Sequence, residues 1–244
     1  MIIQRKLLLY YFSIAALSLL VIQCAGVRKI ASEYGNIQIL SNELTPQEAE
    51  SYCRYAASER EKVEAFWGAT WKGPIRIHVD SSYQISRALV PAYQGNRGFM
   101  EMPFRRAKNE IITGPLLHEI VHIYAPNDNR FLAEGLAVYL HDKMGGNPGF
   151  PNFGKSLHTL AHGTFSEVTS LEGLNRVRTP LPLSSAGVDE KTAYIVAGSF
   201  VGFLIEKYGL AMFRGLYTAG NFKKIYGKSL SVLENEWRSS VQGK

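Results

Sequence analysis

The segment GPLLHEIVHIY, residues 114–124, constrains this chain more than any other. Within it, His118 and His122 flank Glu119 in the pattern H-E-x-x-H. On a helix, side chains four residues apart lie on the same face, so both imidazoles can approach one point. Glu119 projects about 100° around the helix from His118 and can reach a water molecule at that point. Two imidazoles and a nearby carboxylate are the groups that zinc-assisted hydrolysis requires.

The surroundings of this motif indicate a buried helix. Thr113 is predicted to cap it, Pro115 suits its first turn, and Ala125-Pro126 ends it. Burying two histidines and a glutamate without partners costs kilocalories per group, so partners are expected. The alternative is an ordinary amphipathic helix with two exposed histidines. The apolar residues around the polar triplet are Leu116, Leu117, Ile120, Val121 and Ile123.

A second apolar segment, residues 131–140, carries Glu134 as its one acidic residue. The turn before it, residues 125–130, has a length that suits two adjacent antiparallel helices. Gly135 allows those helices to approach closely. We therefore predict Glu134 as the third metal ligand, since carboxylates are regular zinc ligands. The alternative for Glu134 is a surface salt bridge.

The H-E-x-x-H followed by x-L-A-E-G-L-A-x-Y-L resembles the gluzincin metallopeptidases, specifically the small peptidase MA-like domains. Their pattern is H-E-x-x-H, a short loop and W-L-x-E-G-x-A. The resemblance covers residues 111–140 and, more loosely, the helical region 194–216. It implies that His118, His122 and Glu134 bind Zn²⁺ and that Glu119 is the general base. Phe131 stands where the family often has Trp, and the gap to Glu134 is shorter than in thermolysin-like enzymes, so their substrate preferences do not transfer.

The resemblance implies two further elements. Gluzincins often place a Tyr or His donor from a downstream helix on the developing oxyanion, and Tyr194 begins such a helix; a packed tyrosine is the alternative. An edge strand beside the cleft binds the substrate backbone by strand addition, and residues 99–102 are the candidate. The Pro- and Ser-rich residues 176–188 are a candidate flap at the cleft mouth.

Three other histidines, His78, His158 and His162, are predicted to lie outside the site. His158 and His162 also stand four residues apart, but no Glu lies between them and Gly163 follows at once. Exposed histidines are therefore favoured over a second metal site. His78 falls on the polar side of an alternating strand, residues 75–79, and is predicted at the surface.

The N-terminus predicts export. Arg5 and Lys6 precede an apolar run, residues 7–22, that is short for a membrane span. Val-Ile-Gln-Cys at residues 21–24 resembles a relaxed bacterial lipobox, in which Cys24 is acylated, although Gln23 replaces the usual small residue. An ordinary cleaved signal peptide and an uncleaved anchor are the alternatives. All three place the protein outside the cytoplasm, either as a membrane-anchored lipoprotein on the periplasmic or cell-surface side or as a secreted protein.

The net charge limits which partners are expected, and the two cysteines limit which disulfide can form. The net charge of +6 falls to +4 once Arg5 and Lys6 are removed, which leaves a mildly basic surface. Nucleic acid is not an expected partner, because no nucleic-acid motif is present. Contact with anionic lipid headgroups fits an anchored protein. Cys53 is expected to be a buried apolar residue, since a disulfide with Cys24 requires Cys24 to be free.

These patterns predict a signal peptide at residues 1–23, a spacer at 24–36 and one domain at 37–244. The expected fold class is α+β, zincin-like, with a small N-terminal mixed sheet and a mainly helical C-terminal half around a zinc cleft. Thr45 and Glu48 form a capping box for a helix that ends near Trp67. Residues 81–89 are predicted as a short helix.

The expected function is zinc-dependent hydrolysis of peptide bonds in a peptide or protein substrate. Endopeptidase activity is slightly favoured over aminopeptidase activity, because no acidic cluster for a substrate amino terminus is evident. One alternative is a catalytically inactive, membrane-anchored binding or assembly protein with a zincin fold. Another is a zinc hydrolase that acts on cell-wall peptide cross-links.

Overall fold

The computed structural model describes residues 29–89, 98–107 and 110–242. The predicted signal peptide, the lipobox and Cys24 lie outside these ranges. Within them, no helix combines the length and the apolar character that a membrane span needs.

The N-terminal half forms a mixed sheet whose strand order is β1-β2-β3-β5-β4. Strands β2, β3 and β5 are mutually parallel, whereas β1 and β4 run antiparallel to their neighbours. Strand β6 pairs antiparallel with the second half of β5. The strands are β1 (Ile30–Tyr34), β2 (Ile37–Leu40), β3 (Ile75–Asp80), β4 (Arg87–Leu89), β5 (Phe99–Ala107) and β6 (Glu110–Thr113).

Helix α1 (Pro46–Trp67) crosses between β2 and β3 and packs on the sheet. The predicted capping box is present: the Thr45 side chain accepts from the Glu48 N–H, and the Glu48 carboxylate accepts from the Thr45 N–H. Strand β3 alternates as predicted, with Ile75, Ile77 and Val79 fully buried. Cys53 is a buried free thiol on α1, as expected.

Two predictions for this half are wrong. Residues 81–89 do not form a helix, because the Asp80 carboxylate accepts from both the N–H and the hydroxyl of Ser82 and so stabilises a turn. The chain then extends into β4. Residues 99–102 are not an edge strand, because β5 lies between β3 and β4. The sheet edge nearest the H-E-x-x-H helix, α2 (Leu116–Tyr124), is therefore β4.

Two boundaries also differ from expectation. The sheet begins inside the predicted spacer, since β1 pairs with β2. Thr113 does not cap a helix; it ends β6, where its backbone pairs with that of Phe104. Helix α2 starts at Leu116 with Pro115 in the cap position and without a side-chain cap.

The C-terminal half is helical, and its centre is the pair α3 and α6. The two helices touch at Gly135, where an added Cβ would lie 2.6 Å from the carbonyl oxygen of Ala197. Only glycine fits there, but the close approach was predicted between α3 and the H-E-x-x-H helix, whereas Gly135 faces α6. Together the two halves make an α+β protein. The helices are α2 (Leu116–Tyr124), α3 (Arg130–Met144), α4 (Leu157–Gly163), α5 (Leu171–Asn175), α6 (Glu190–Tyr208), α7 (Leu210–Ala219), α8 (Phe222–Tyr226) and α9 (Leu230–Gln242), with a 3-10 turn at Leu183–Ala186.

Candidate metal centre and cleft

Helices α2 and α3 bring three predicted ligands to one point. His118 and His122 project from α2, and Glu134 projects from the first turns of α3. Nε2 of His118 lies 3.1 Å from Oε2 of Glu134 and 3.2 Å from Nε2 of His122. Nε2 of His122 lies 3.4 Å from the same oxygen of Glu134. The three donor atoms therefore form a nearly equilateral triangle, and this buried group can hold a metal ion.

The size of the triangle can be compared with the geometry of a bound ion. Metal–ligand bonds of 2.0–2.1 Å in a tetrahedral site place neighbouring donor atoms about 3.3–3.4 Å apart. The observed separations of 3.1 to 3.4 Å are close to that spacing. A fourth tetrahedral position would face away from the triangle. The residues present thus fit a tetrahedral ion with three protein ligands.

Electrostatics couple these residues strongly. Burial alone would raise the pKa of Glu134, but the adjacent His122 and His118 bring it well below its usual range. Burial alone would lower the pKa of His122, but the Glu134 carboxylate outweighs it and the pKa is raised. Glu134 is therefore an ionised carboxylate at neutral pH, as a metal ligand must be.

Arg130 joins the centre and was not identified from the sequence. Its Nη2 lies 2.7 Å from Oε1 of Glu134, one helical turn further along α3. Glu134 thus uses one oxygen for the ligand triangle and the other for the guanidinium. This contact fixes the orientation of the carboxylate, as partners of metal ligands generally do. The R-x-x-x-E spacing was visible in the sequence and was the one available signal.

Glu119 lies in the same cleft and is held by the strand side of the molecule. The Ser86 hydroxyl donates to Oε1 of Glu119 at 2.7 Å, and the Ala88 N–H donates to Oε2 at 2.6 Å. Sequence reasoning missed both donors. No local signal links residues more than thirty positions apart, and the segment had been assigned to a helix.

Tyr194 lies beside the ligands on α6. Its ring is parallel to that of His118, with 6.2 Å between centroids and 11° between planes. Phe150 packs edge-on against the Tyr194 ring, with 5.4 Å between centroids. Burial, and then the charge of Glu134, raises the pKa of the Tyr194 hydroxyl. The hydroxyl therefore remains protonated, and so can donate a hydrogen bond, over the physiological range.

The three ligands and Glu119 open into a cleft of about 790 Å³. That volume falls within the range of sites that enclose small molecules or short peptide segments. One wall comes from β4 and the turn before it, and the other from α6 and the residues predicted as a flap. The wall residues outside the ligand group include Ile85, Arg87, Asp128, Thr179, Pro180, Pro182 and Glu190.

The rival histidines lie elsewhere. Nδ1 of His158 hydrogen-bonds the Ser199 hydroxyl at 2.8 Å, so His158 is half-buried and not exposed as predicted. His162 is exposed, with its ring against Phe165. His78 is half-buried and bonds to the Tyr83 hydroxyl. Over the described ranges, His118, His122 and Glu134 are the only group of three or more His, Cys, Asp or Glu residues whose donor atoms converge.

Comparison with known proteins adds no information about this site, so its interpretation rests on its geometry. No protein-family model matches the chain, and no curated protein matches it significantly.

Proposed function

We propose that this protein is a zinc-dependent metallopeptidase with a gluzincin-type, zincin-like fold that hydrolyses peptide bonds. The observation that carries the proposal is the meeting of four residues in one cleft: the three ligands with tetrahedral spacing and Glu119 beside them. A purely structural cluster accounts for the three ligands but not for Glu119, a further carboxylate that lines the cleft.

Zinc is the ion that suits this donor set. Two imidazole nitrogens and one carboxylate oxygen, with one position left open, are the protein ligands of many catalytic zinc sites. A bound zinc ion would supply Lewis acidity, which polarises a carbonyl group and makes water a nucleophile near neutral pH. Arg130 holds Oε1 of the buried Glu134 carboxylate, which would leave Oε2 oriented to bind the ion.

Glu119 is assigned as the general base. It takes a proton from the attacking water and passes that proton to the leaving amine. Tyr194 is assigned as a donor to the oxyanion that develops on the substrate carbonyl. Its position over His118 and its protonated hydroxyl support this role.

The substrate is proposed to be an extended peptide or protein segment. Strand β4 forms the edge of the sheet at the cleft, and an extended chain can add to such an edge through main-chain hydrogen bonds. Strand addition holds a substrate by its main chain and not by its terminus, so we favour internal cleavage. Asp128 and Glu190 in the cleft wall are the carboxylates that would receive an amino terminus in aminopeptidase action.

Metal analysis and a peptide library test the proposal together. We expect one zinc per chain, cleavage of library peptides and loss of cleavage with a chelator. Product masses distinguish internal from terminal cutting, and cell-wall cross-link peptides belong in the same screen. Zinc without cleavage of any substrate would favour the inactive binding protein, and a chain that refuses zinc would overturn the proposal.

Export and membrane attachment through Cys24 remain part of the proposal. They rest on residues 1–24 alone. Metabolic labelling with a fatty acid, compared between the natural chain and a Cys24→Ala variant, tests the lipid anchor. An unlabelled natural chain in the culture medium would instead indicate a cleaved signal peptide.

A further inference from the structure

The hydrogen bonds of Glu119 show which way the cleft edge of the sheet faces. In an antiparallel pair, the N–H and C=O groups of successive residues point alternately toward the neighbouring strand and away from it. The Ala88 N–H donates to Glu119, so it points away from β5 and into the cleft. The Ala88 C=O lies on the same open side. Ala88 is thus the residue of β4 that offers main-chain groups to a ligand.

The same N–H is the donor that strand addition needs. An extended peptide that pairs with β4 must place one of its carbonyl oxygens on the Ala88 N–H, because Arg87 and Leu89 direct theirs toward β5. Without substrate, Oε2 of Glu119 occupies that donor at 2.6 Å. The peptide carbonyl and the Glu119 carboxylate therefore compete for one hydrogen.

Ser86 makes the second hydrogen bond to Glu119, and a peptide that pairs with β4 does not compete for it. Its hydroxyl donates to Oε1 of Glu119, while its own N–H and C=O belong to the turn before β4. Close packing holds it in place. An added Cβ at Gly114 would lie 2.8 Å from Cβ and 2.9 Å from Oγ of Ser86, so only glycine leaves room for this side chain.

We propose that β4 restrains the general base until substrate arrives. The peptide backbone takes the Ala88 N–H, and Oε2 of Glu119, without that donor, becomes more basic toward the attacking water. Ser86 retains Oε1 and keeps the carboxylate aimed at the centre, so it is a positioning residue. This inference rests on the proposed peptidase function for its catalytic meaning, but the hydrogen bonds themselves do not depend on it.

The hydrogen bond to Ala88 can be tested without catalysis. The amide resonance of Ala88 is followed by NMR in the zinc-loaded full chain and in two inactive variants. Glu119→Gln keeps an acceptor oxygen, whereas Glu119→Ala removes it. We expect an upfield amide shift and at least about tenfold faster hydrogen exchange in Glu119→Ala only. An Ala88 amide that is the same in all three proteins would overturn the proposal.

The competition is tested by binding. The probe is the library peptide that the natural enzyme cleaves fastest, and its Kd is measured for both inactive variants. We expect Glu119→Ala to bind it about tenfold more tightly than Glu119→Gln, because the competitor is gone. Introducing Ala88→Pro, which removes the N–H at an edge position that tolerates proline, should abolish the difference. Equal affinities of the two variants without Ala88→Pro would overturn the exchange.

The role of Ser86 is tested by turnover. Ser86→Ala should lower kcat about tenfold with KM nearly unchanged, and Gly114→Ala should act in the same direction by displacing Ser86. Ser86→Thr retains a hydroxyl and should recover most of the lost rate. Ser240→Ala, which removes a hydroxyl on α9 that donates to the Trp237 carbonyl and does not line the cleft, is the matched control. Unaltered kcat in a folded Ser86→Ala protein would remove Ser86 from the mechanism.

Failure of the proposed function has a separate signature. If no peptide is cleaved but the Ala88 amide responds to Glu119→Ala, the hydrogen bond stands and the substrate-exchange proposal is overturned together with the peptidase assignment. If peptides are cleaved and the amide does not respond, the peptidase assignment stands and only the restraint is overturned.

Discussion

Two clusters in this protein pair histidine with glutamate, and they differ in where their polar atoms point. In the ligand cluster, the donor atoms of His118, His122 and Glu134 converge to within 3.4 Å of one another at the base of a cleft. In the α4–α6 cluster, His158 bridges Ser199 on one side and Glu206 on the other, at 2.8 and 3.6 Å. In the first cluster the donor atoms converge on one point, whereas in the second the polar groups form a linear series of contacts.

Other protein groups pair with both ends of this linear series. The Trp237 indole N–H donates to Ser199, and Lys143 pairs with Glu206. Ser199 is fully buried, so its contact with a histidine does not make it a nucleophile. In the ligand cluster, by contrast, Nδ1 of His118 has no hydrogen-bond partner within the described part of the chain. Histidine spacing of four residues is common to both, so convergence and access distinguish a metal centre from a structural network.

Removing the base should produce the largest effect. We expect Glu119→Gln to lower turnover at least about 1,000-fold, because Glu119 is the carboxylate assigned to take the proton from water. Zinc content should not change, since Glu119 is not a ligand. Turnover is measured on the best library peptide, and zinc by elemental analysis. Substantial remaining turnover would contradict the assignment of Glu119.

Removing one of the three proposed ligands should weaken zinc binding directly. Glu134→Ala should weaken zinc binding at least about 100-fold, since changes even at groups behind the ligands cost up to that much. Competition with a chromophoric chelator gives the affinity. His158→Ala is the matched control from the other cluster and should bind zinc normally. Equal affinity of Glu134→Ala and the natural chain would exclude Glu134 from the site.

Removing the neighbouring hydroxyl should reduce chemistry and spare binding. Tyr194→Phe should lower kcat about 100-fold, as expected for loss of one oxyanion donor, with little change in KM or zinc content. Tyr208→Phe, which loses a hydroxyl bound to Glu236 far from the cleft, serves as the control. Full turnover in Tyr194→Phe would leave this tyrosine with a packing role only.

Acid should weaken metal binding through the ligand cluster. The raised pKa of His122 in the metal-free protein means that this imidazole already holds a proton at pH values above its usual midpoint. Because the metal requires the neutral form, affinity should fall about tenfold per pH unit once the pH is below that raised pKa. Zinc titrations of the metal-free protein at several pH values measure the slope. An affinity that does not vary below pH 6 would indicate that no histidine binds the ion.

The smallest effect is expected from a change in the α4–α6 cluster. His158→Ala should lower the free energy of unfolding by about 1 kcal/mol, the usual contribution of one hydrogen bond, without altering turnover. Denaturant unfolding of the zinc-loaded protein measures the loss. Reduced zinc content in this variant would mean that the two clusters are not independent.

The ligand positions were predictable because their signals are local. Helical spacing places His118 above His122, and a six-residue turn brings the next apolar helix, with Glu134, alongside. The long helix α1 was likewise predictable from its capping box and apolar face. In each case, a single element or a pair joined by a short turn determines the outcome.

The strand side was not predictable for the opposite reason. Whether β5 is an edge or an interior strand depends on where β4 pairs, and no pattern within residues 99–102 encodes that. Ser86 and Ala88 reach Glu119 only after the turn at Asp80–Ser82 redirects the chain. A short helix was predicted over residues 81–89, but the side-chain hydrogen bonds of Asp80 to Ser82 stabilise a turn at its start instead.

The glycine contact between α3 and α6 determines which parts of the cleft are free to change. With no side chain between Gly135 and Ala197, Glu134 and Tyr194 belong to one unit whose spacing cannot be adjusted by exchanging side chains at this contact. The loop at residues 176–188 and strand β4 carry no such constraint. Variation in what this cleft accepts is therefore expected in those two segments, on either side of a chemical centre of fixed dimensions.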